Sequence, residues 1–372
     1  MKATKVFLLL CVLVSYSDVF DAVYAADEER VTFYPTYGYE EGSNWVIPMR
    51  IWVHERRGLP ERVREKLAAS LAIFEPRELG NFASRIQDFV GDSESREVVT
   101  FAFDNDPENQ EYRVQNTRGN SLKTDWNGLV EGVIKISVTK AGELLSRQGS
   151  QNGWLTYRAT SRGHSGMGRV RLIEFTGLSV ISDIDDTIKV TEIPAGSKVV
   201  VRNTFFRDFV AAPEMATLYQ GWAGASFHYV SGGPWQLYEP LSEFLFSEKG
   251  GFPEGTFHMK NVRMNLLSAS TWKDLSELVT NENVTFEQKV SQISEIIRRF
   301  PKRKFILVGD SGEKDPEVYR KIKATFPGQV QEIRIRDVVN DREKNRNRLE
   351  GMTIIQAPTV NRGVSQFAVP AN

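Results

Sequence analysis

From residue 177 onward, short apolar runs alternate with stretches of helical period. The runs are LSVISDI (178–184), ASFHYVS (225–231), TFHMKNV (256–262), KFILVGD (304–310) and VQEIRIRDV (330–338), and helices are expected over 235–248, 285–299 and 315–325. Strands separated by helices predict an α/β fold, a parallel sheet with helices on both faces. In such sheets ligands bind beyond the carboxyl ends of the strands. Three runs end there in polar residues: Asp183 and Asp185, Ser231, and Asp310.

Upstream the pattern differs. Residues 31–54 alternate and are rich in aromatic and β-branched types, so they read as strands. PERVREKLAASLAIF and PRELGNFASRIQDFV, within 60–90, read as two amphipathic helices, each opened by a proline. Residues 98–174 return to strands separated by turn clusters such as DNDPEN and SRGHSGMG. The expected organisation is a signal peptide (1–25), a mostly β N-terminal domain with a helical insertion (26–174), an α/β domain (175–345) and a tail (346–372).

The leader reading rests on Lys2 and Lys5, the apolar run 6–14 and the cleavage-like Val23-Tyr24-Ala25. It implies a secreted or periplasmic protein. Cys11, the single cysteine, lies in that leader, so a processed chain would enter an oxidising compartment without disulfides. After the leader no run approaches the ~20 apolar residues of a transmembrane helix. Lys and Arg number 47 against 48 Asp and Glu, a balance that argues against a nucleic-acid partner. Asn283-Val284-Thr285 fits the N-glycosylation sequon.

The segment VISDIDDTIKV places Asp183, Asp185 and Asp186 directly after an apolar strand. Like charges this close repel, and a divalent cation is the natural compensation. Mg²⁺ suits one or two carboxylates plus phosphate oxygens and waters. An EF-hand is excluded because Thr187 and Ile188 stand where an acid or amide and a glycine are needed. FILVGDSGEKD repeats the strand-then-acid pattern with Asp310 and Asp315, and HYVSGG ends a strand in Ser231 and two glycines.

Together these motifs resemble the haloacid dehalogenase superfamily of phosphotransferases, over residues 177–338. Asp183-Ile184-Asp185-Asp186-Thr187 matches DxDxT, Ser231 the second motif, Lys289 the third, and Gly309-Asp310…Asp315 the fourth. SVISDIDDTIK, FHYVSGGPWQLY and GDSGEKDPEVY further resemble the phosphatidate phosphatases related to the fungal actin-patch enzyme. The resemblance implies an HAD-like Rossmannoid sheet and Mg²⁺-dependent hydrolysis of phosphatidate through an aspartyl-phosphate. It makes Asp183 the nucleophile and Asp185 the acid and base, with a carboxyl raised in pKa by crowding. It assigns Mg²⁺ to Asp183, the Asp185 backbone carbonyl and Asp310, and the phosphoryl oxygens to Ser231 and Lys289. Asp186, Thr187 and Asp315 would be supporting residues. A capping-box pattern, Thr285-Phe286-Glu287-Gln288, puts Lys289 in the first turns of its helix.

The implied partner is a phospholipid at a membrane interface. Tyr219, Trp222, Phe227, Tyr229, Trp235 and Tyr238 are open to two readings, an acyl-chain groove or ordinary packing. Residues 263–272 could contact a head group. The alternatives are a phosphatase for soluble phosphomonoesters and a secreted binding module. Gly163-His164-Ser165-Gly166-Met167 departs from the GxSxG elbow at Met167 and leads into a strand, which argues against an esterase. His54, His164, His228 and His258 show no HExxH spacing.

Overall fold

The structure, a computed structural model, describes residues 29–55, 74–260 and 282–356. The expected leader, the first insertion helix up to residue 73, the 263–272 stretch and the chain beyond 356 lie outside the described residues.

The first half builds ten strands: β1 (Glu29–Phe33), β2 (Thr36–Glu41), β3 (Asn44–Glu55), β4 (Asp92–Ser93), β5 (Thr100–Phe103), β6 (Glu111–Arg113), β7 (Leu129–Ser137), β8 (Trp154–Ala159), β9 (His164–Ser165) and β10 (Met167–Leu172). Their order is β6-β5-β8-β10-β2-β3-β1-β9, with β4 and β7 also paired to β3. Strands distant in that order touch: the Phe33 ring lies 5.6 Å from Phe101 and 5.1 Å from Tyr157. The sheet therefore curls around one core, which holds Ile47, Ile51, Val53, Leu155 and Val170. Helix α2 (Val138–Arg147) closes it with Ala141 and Leu144. Ser137 caps α2, accepting from the Lys140 amide at 3.1 Å.

The described insertion helix, α1 (Pro76–Val90), begins at its proline as expected. Its apolar face does not join the β core. Leu79, Phe82, Ile86 and Phe89 instead share a cluster with Ile184, Ile188, Phe205 and Phe206 of the second half. Phe82 stacks on Phe206 at 4.7 Å, and Arg85 donates to the carbonyls of Thr204 and Arg207.

The second half is a parallel sheet of six strands: β11 (Leu178–Ser182), β12 (Ser226–Pro234), β13 (Gly255–Lys260), β14 (Lys304–Asp310), β15 (Val330–Asp337) and β16 (Thr353–Gln356), ordered β13-β12-β11-β14-β15-β16. Neighbouring residues along a strand face opposite layers, and both layers are dry, as expected of a parallel sheet. Val180 and Val308 pack with helices α3 (Met215–Gln220) and α4 (Tyr238–Leu245). Ile181 and Leu307 pack with α5 (Glu282–Arg299) and α6 (Asp315–Thr325). The chain winds outward in both directions from the β11–β14 pair, which makes the carboxyl ends of those strands the switch point.

Two boundaries differ from expectation. The assigned tail supplies the edge strand β16, which pairs with Arg334–Asp337. Helix α5 starts at Glu282, so Thr285 is helical and no capping box opens at it. Lys289 sits eight residues into α5, on the face toward the sheet.

Candidate active site

Asp183 follows β11 and Asp310 ends β14, so the switch point sets their carboxylates side by side. Both residues are buried. Asp310 Oδ1 accepts from the amides of Gly312 (2.6 Å) and Glu313 (3.2 Å), whereas Oδ2 has no partner among the described residues. Asp183 Oδ1 accepts from Lys289 Nζ at 2.7 Å, and its Oδ2 is likewise buried without a partner among the described residues. Asp183, Asp310 and Glu313 offer carboxylate oxygens within 4.8 Å of one another. A buried acceptor without a donor costs free energy, so two such oxygens beside a third acid fit a cation. Burial pushes the Asp183 and Asp310 carboxyls well above their usual range, and their acidic neighbours add to the rise. Lys289 opposes it at Asp183.

Lys289 reaches the acids from α5. Its ammonium contacts Asp183, Asp315 (2.7 Å) and Glu313 (3.2 Å). Burial alone would lower its pKa, but the three carboxylates outweigh burial and hold it well above the usual lysine value. Asp315 opens α6, where it orients Lys289 and accepts from the Asp310 amide at 3.3 Å. Gly309 makes room for this: a Cβ there would lie 2.4 Å from Asp315 Oδ2.

Asp185 has other company. Its Oδ1 lies 2.9 Å from Lys189 Nζ and accepts from Thr191 Oγ1 at 2.6 Å, and its Oδ2 is 3.4 Å from Ser231 Oγ. The expected rise in its pKa by crowding is not what its surroundings produce. Burial does raise it, but Lys189 and Thr191 together hold the carboxyl below its ordinary range. Ser231 Oγ also accepts from the Gly233 amide at 2.9 Å, which aims the hydroxyl at the site.

Asp186 anchors the loop after the motif. It takes a left-handed conformation (φ 56°), and its carboxylate accepts from the amides of Thr191, Glu192 and Ile193 at 2.8, 2.7 and 2.6 Å. Arg336 donates to its carbonyl at 2.7 Å. Thr187 Oγ1 is buried with no partner among the described residues. The site thus gathers Asp183, Asp185, Ser231, Lys289, Asp310 and Asp315, with Asp186 supporting it from behind.

Two residues were missed in the sequence, Lys189 and Glu313. The signal for Lys189 was a lone lysine between Ile188 and Val190, four positions after Asp185. For Glu313 it was a further acid inside GDSGEKD. The aromatic set resolves toward packing: Tyr219, Phe227, Tyr229 and Trp235 are at most 3% exposed. Tyr219 stacks on Phe227 and packs on Phe252, Tyr229 packs on Phe257, and Trp235 packs edge-on against Trp52, whereas Trp222 and Tyr238 are half-buried.

Residues 178–337 match the family model described as the catalytic domain of phosphatidate phosphatase APP1. Over this segment the chain is similar to that family. The phosphatidate phosphatase APP1 of Saccharomyces cerevisiae is 34% identical over 165 residues, covering 43% of this chain and 26% of that protein. An uncharacterized protein of Schizosaccharomyces pombe is 31% identical over 186 residues, covering 47% of this chain and 27% of that protein. The chain therefore spans about a quarter of the length of these relatives. A solved structure from work on a carbohydrate esterase active site overlaps 82% of this chain at 12% identity with a TM-score of 0.19, a likeness too slight to carry an argument.

Proposed function

We propose that this chain is a Mg²⁺-dependent phosphatidate phosphatase with an HAD-like catalytic domain. The observation that carries the reading is the pair of buried, partnerless oxygens on Asp183 and Asp310, set at the switch point beside Lys289 in a segment of the APP1 catalytic-domain family. Asp183, Asp310 and Glu313 would hold Mg²⁺ by their carboxylates, with the Asp185 carbonyl as a further ligand. Bound there, the ion would neutralise charge on the phosphoryl group.

Asp183 attacks phosphorus, the ester oxygen leaves, and an aspartyl-phosphate forms. Lys289 and Ser231 hold the phosphoryl oxygens, the lysine as a point charge. Asp185 protonates the departing diacylglycerol oxygen and then takes a proton from the water that hydrolyses the acyl phosphate. Lys189 keeps Asp185 ionised, which suits it to act as the base. For the acid step, the negative charge of the arriving phosphate would raise its pKa.

A soluble phosphomonoester remains the second reading, because four of the six aromatic residues that suggested an acyl groove, Tyr219, Phe227, Tyr229 and Trp235, are core. The deciding experiment follows phosphate release with and without Mg²⁺, from phosphatidate in mixed micelles and from a soluble phosphomonoester. Mg²⁺-dependent release favouring phosphatidate is expected. Equal or faster release from the soluble ester would remove the lipid assignment.

A further inference from the structure

The segment GHSGM, which no catalytic role absorbs, brings a histidine to two glutamates from distant parts of the chain. His164 on β9 lies opposite Glu29 on β1 in the parallel register of those strands. Glu97, in the approach to β5, completes the group. His164 Nε2 is 2.9 Å from Glu29 Oε2 and 3.8 Å from Glu97 Oε2. The imidazole is only 2% exposed, and Nε2 is buried without a hydrogen bond among the described residues. The Glu29 oxygen is within bonding distance of Nε2, yet the two form no hydrogen bond. On the other side of the ring, Nδ1 is 2.7 Å from Ser161 Oγ. A ligating histidine that gives its second nitrogen to such a partner is fixed in ring orientation and tautomer. All three ligand atoms lie within 4.8 Å of one another. The neighbouring cation on β1, Arg30, is turned to Glu239 at 3.8 Å and does not neutralise the pair.

We propose that Glu29, Glu97 and His164 form a second metal site, for a divalent transition metal of the Zn²⁺ class, separate from the catalytic acids. One imidazole with two carboxylates is a nitrogen and oxygen donor set that suits Zn²⁺. The half-exposed carboxylates leave room for a water ligand. The ion would join the start of β1, the approach to β5 and the turn before β10. It would thereby fasten the first strand to the curled sheet.

The test titrates full-length protein with Zn²⁺ by calorimetry and thermal melting, in an Asp310→Asn background that disables the catalytic cation site. One Zn²⁺ per chain and a higher melting temperature are expected. Glu97→Gln, whose side chain is partly exposed, should weaken that binding by roughly tenfold or more without disturbing the fold, and Ser161→Ala should weaken it less. His164→Gln should abolish the binding and the thermal shift. Zn²⁺ affinity unchanged in folded Glu97→Gln, or no saturable Zn²⁺ binding in the Asp310→Asn protein, would overturn the site and leave a histidine–carboxylate contact.

Discussion

Replacing Lys189 by Met would keep the length of a buried side chain and delete its charge. The ammonium is 2% exposed, bonds Thr191 Oγ1 at 2.5 Å and pairs with Asp185 at 2.9 Å. It also lies 5.1 Å from the centre of the Phe209 ring. Removing one member of a buried pair costs about 3–5 kcal/mol, because the other charge is left behind. Asp185 is 20% exposed and keeps the Thr191 hydroxyl, so the loss should be at the low end, about 3 kcal/mol. Urea unfolding at neutral pH measures it. In an Asp185→Asn background the stranded charge is gone, and the same change should cost about 1 kcal/mol or less. The sign with pH follows from the lowered Asp185 pKa. The pair's contribution is complete above the carboxyl's unfolded value and fades as pH falls through its lower folded value. In turnover, Lys189→Met raises the Asp185 pKa, so loss of the base extends to higher pH on the acidic limb. A Lys189→Met cost under about 0.5 kcal/mol, or an equal cost in both backgrounds, would refute the coupling.

Asp186→Ala strips acceptors from three amides and should cost about 2–4 kcal/mol in urea unfolding, with activity falling because the 191–193 loop loses its anchor. Gly309→Ala drives a methyl into Asp315 and Tyr319 and should cost about 1–3 kcal/mol by the same assay, with a larger effect on kcat than on KM. Phe82→Ala removes the stack on Phe206 and should cost about 3–5 kcal/mol, read as a lower melting temperature of the catalytic half.

The sequence was most legible where one local rule governed. β14 and α6 run over the expected residues because an apolar run meets a glycine-acid turn and Pro316 then opens a helix. The acids after β11 and β14 were legible for the same reason, since strand ends in a parallel sheet converge. What failed depended on contacts distant in sequence. α1 carries an ordinary amphipathic stripe, and nothing in it says that the stripe covers Phe205 and Phe206 more than 100 positions away. β16 is four residues long and gains strand structure only by pairing with β15. The crowding argument for Asp185 counted acids along the chain and overlooked Lys189, which the loop folds back onto it. The group of Glu29, Glu97 and His164 has no local spacing at all, because strand pairing assembles it.

The central claim is that Asp183 carries the phosphoryl group. Acid quenching of the protein during turnover of radiolabelled phosphatidate with Mg²⁺, followed by peptide mapping, tests it most directly. The account predicts label on the peptide containing Asp183, and none in a folded Asp183→Asn protein that has lost turnover. Sustained turnover by folded Asp183→Asn, or label on another residue, would contradict it.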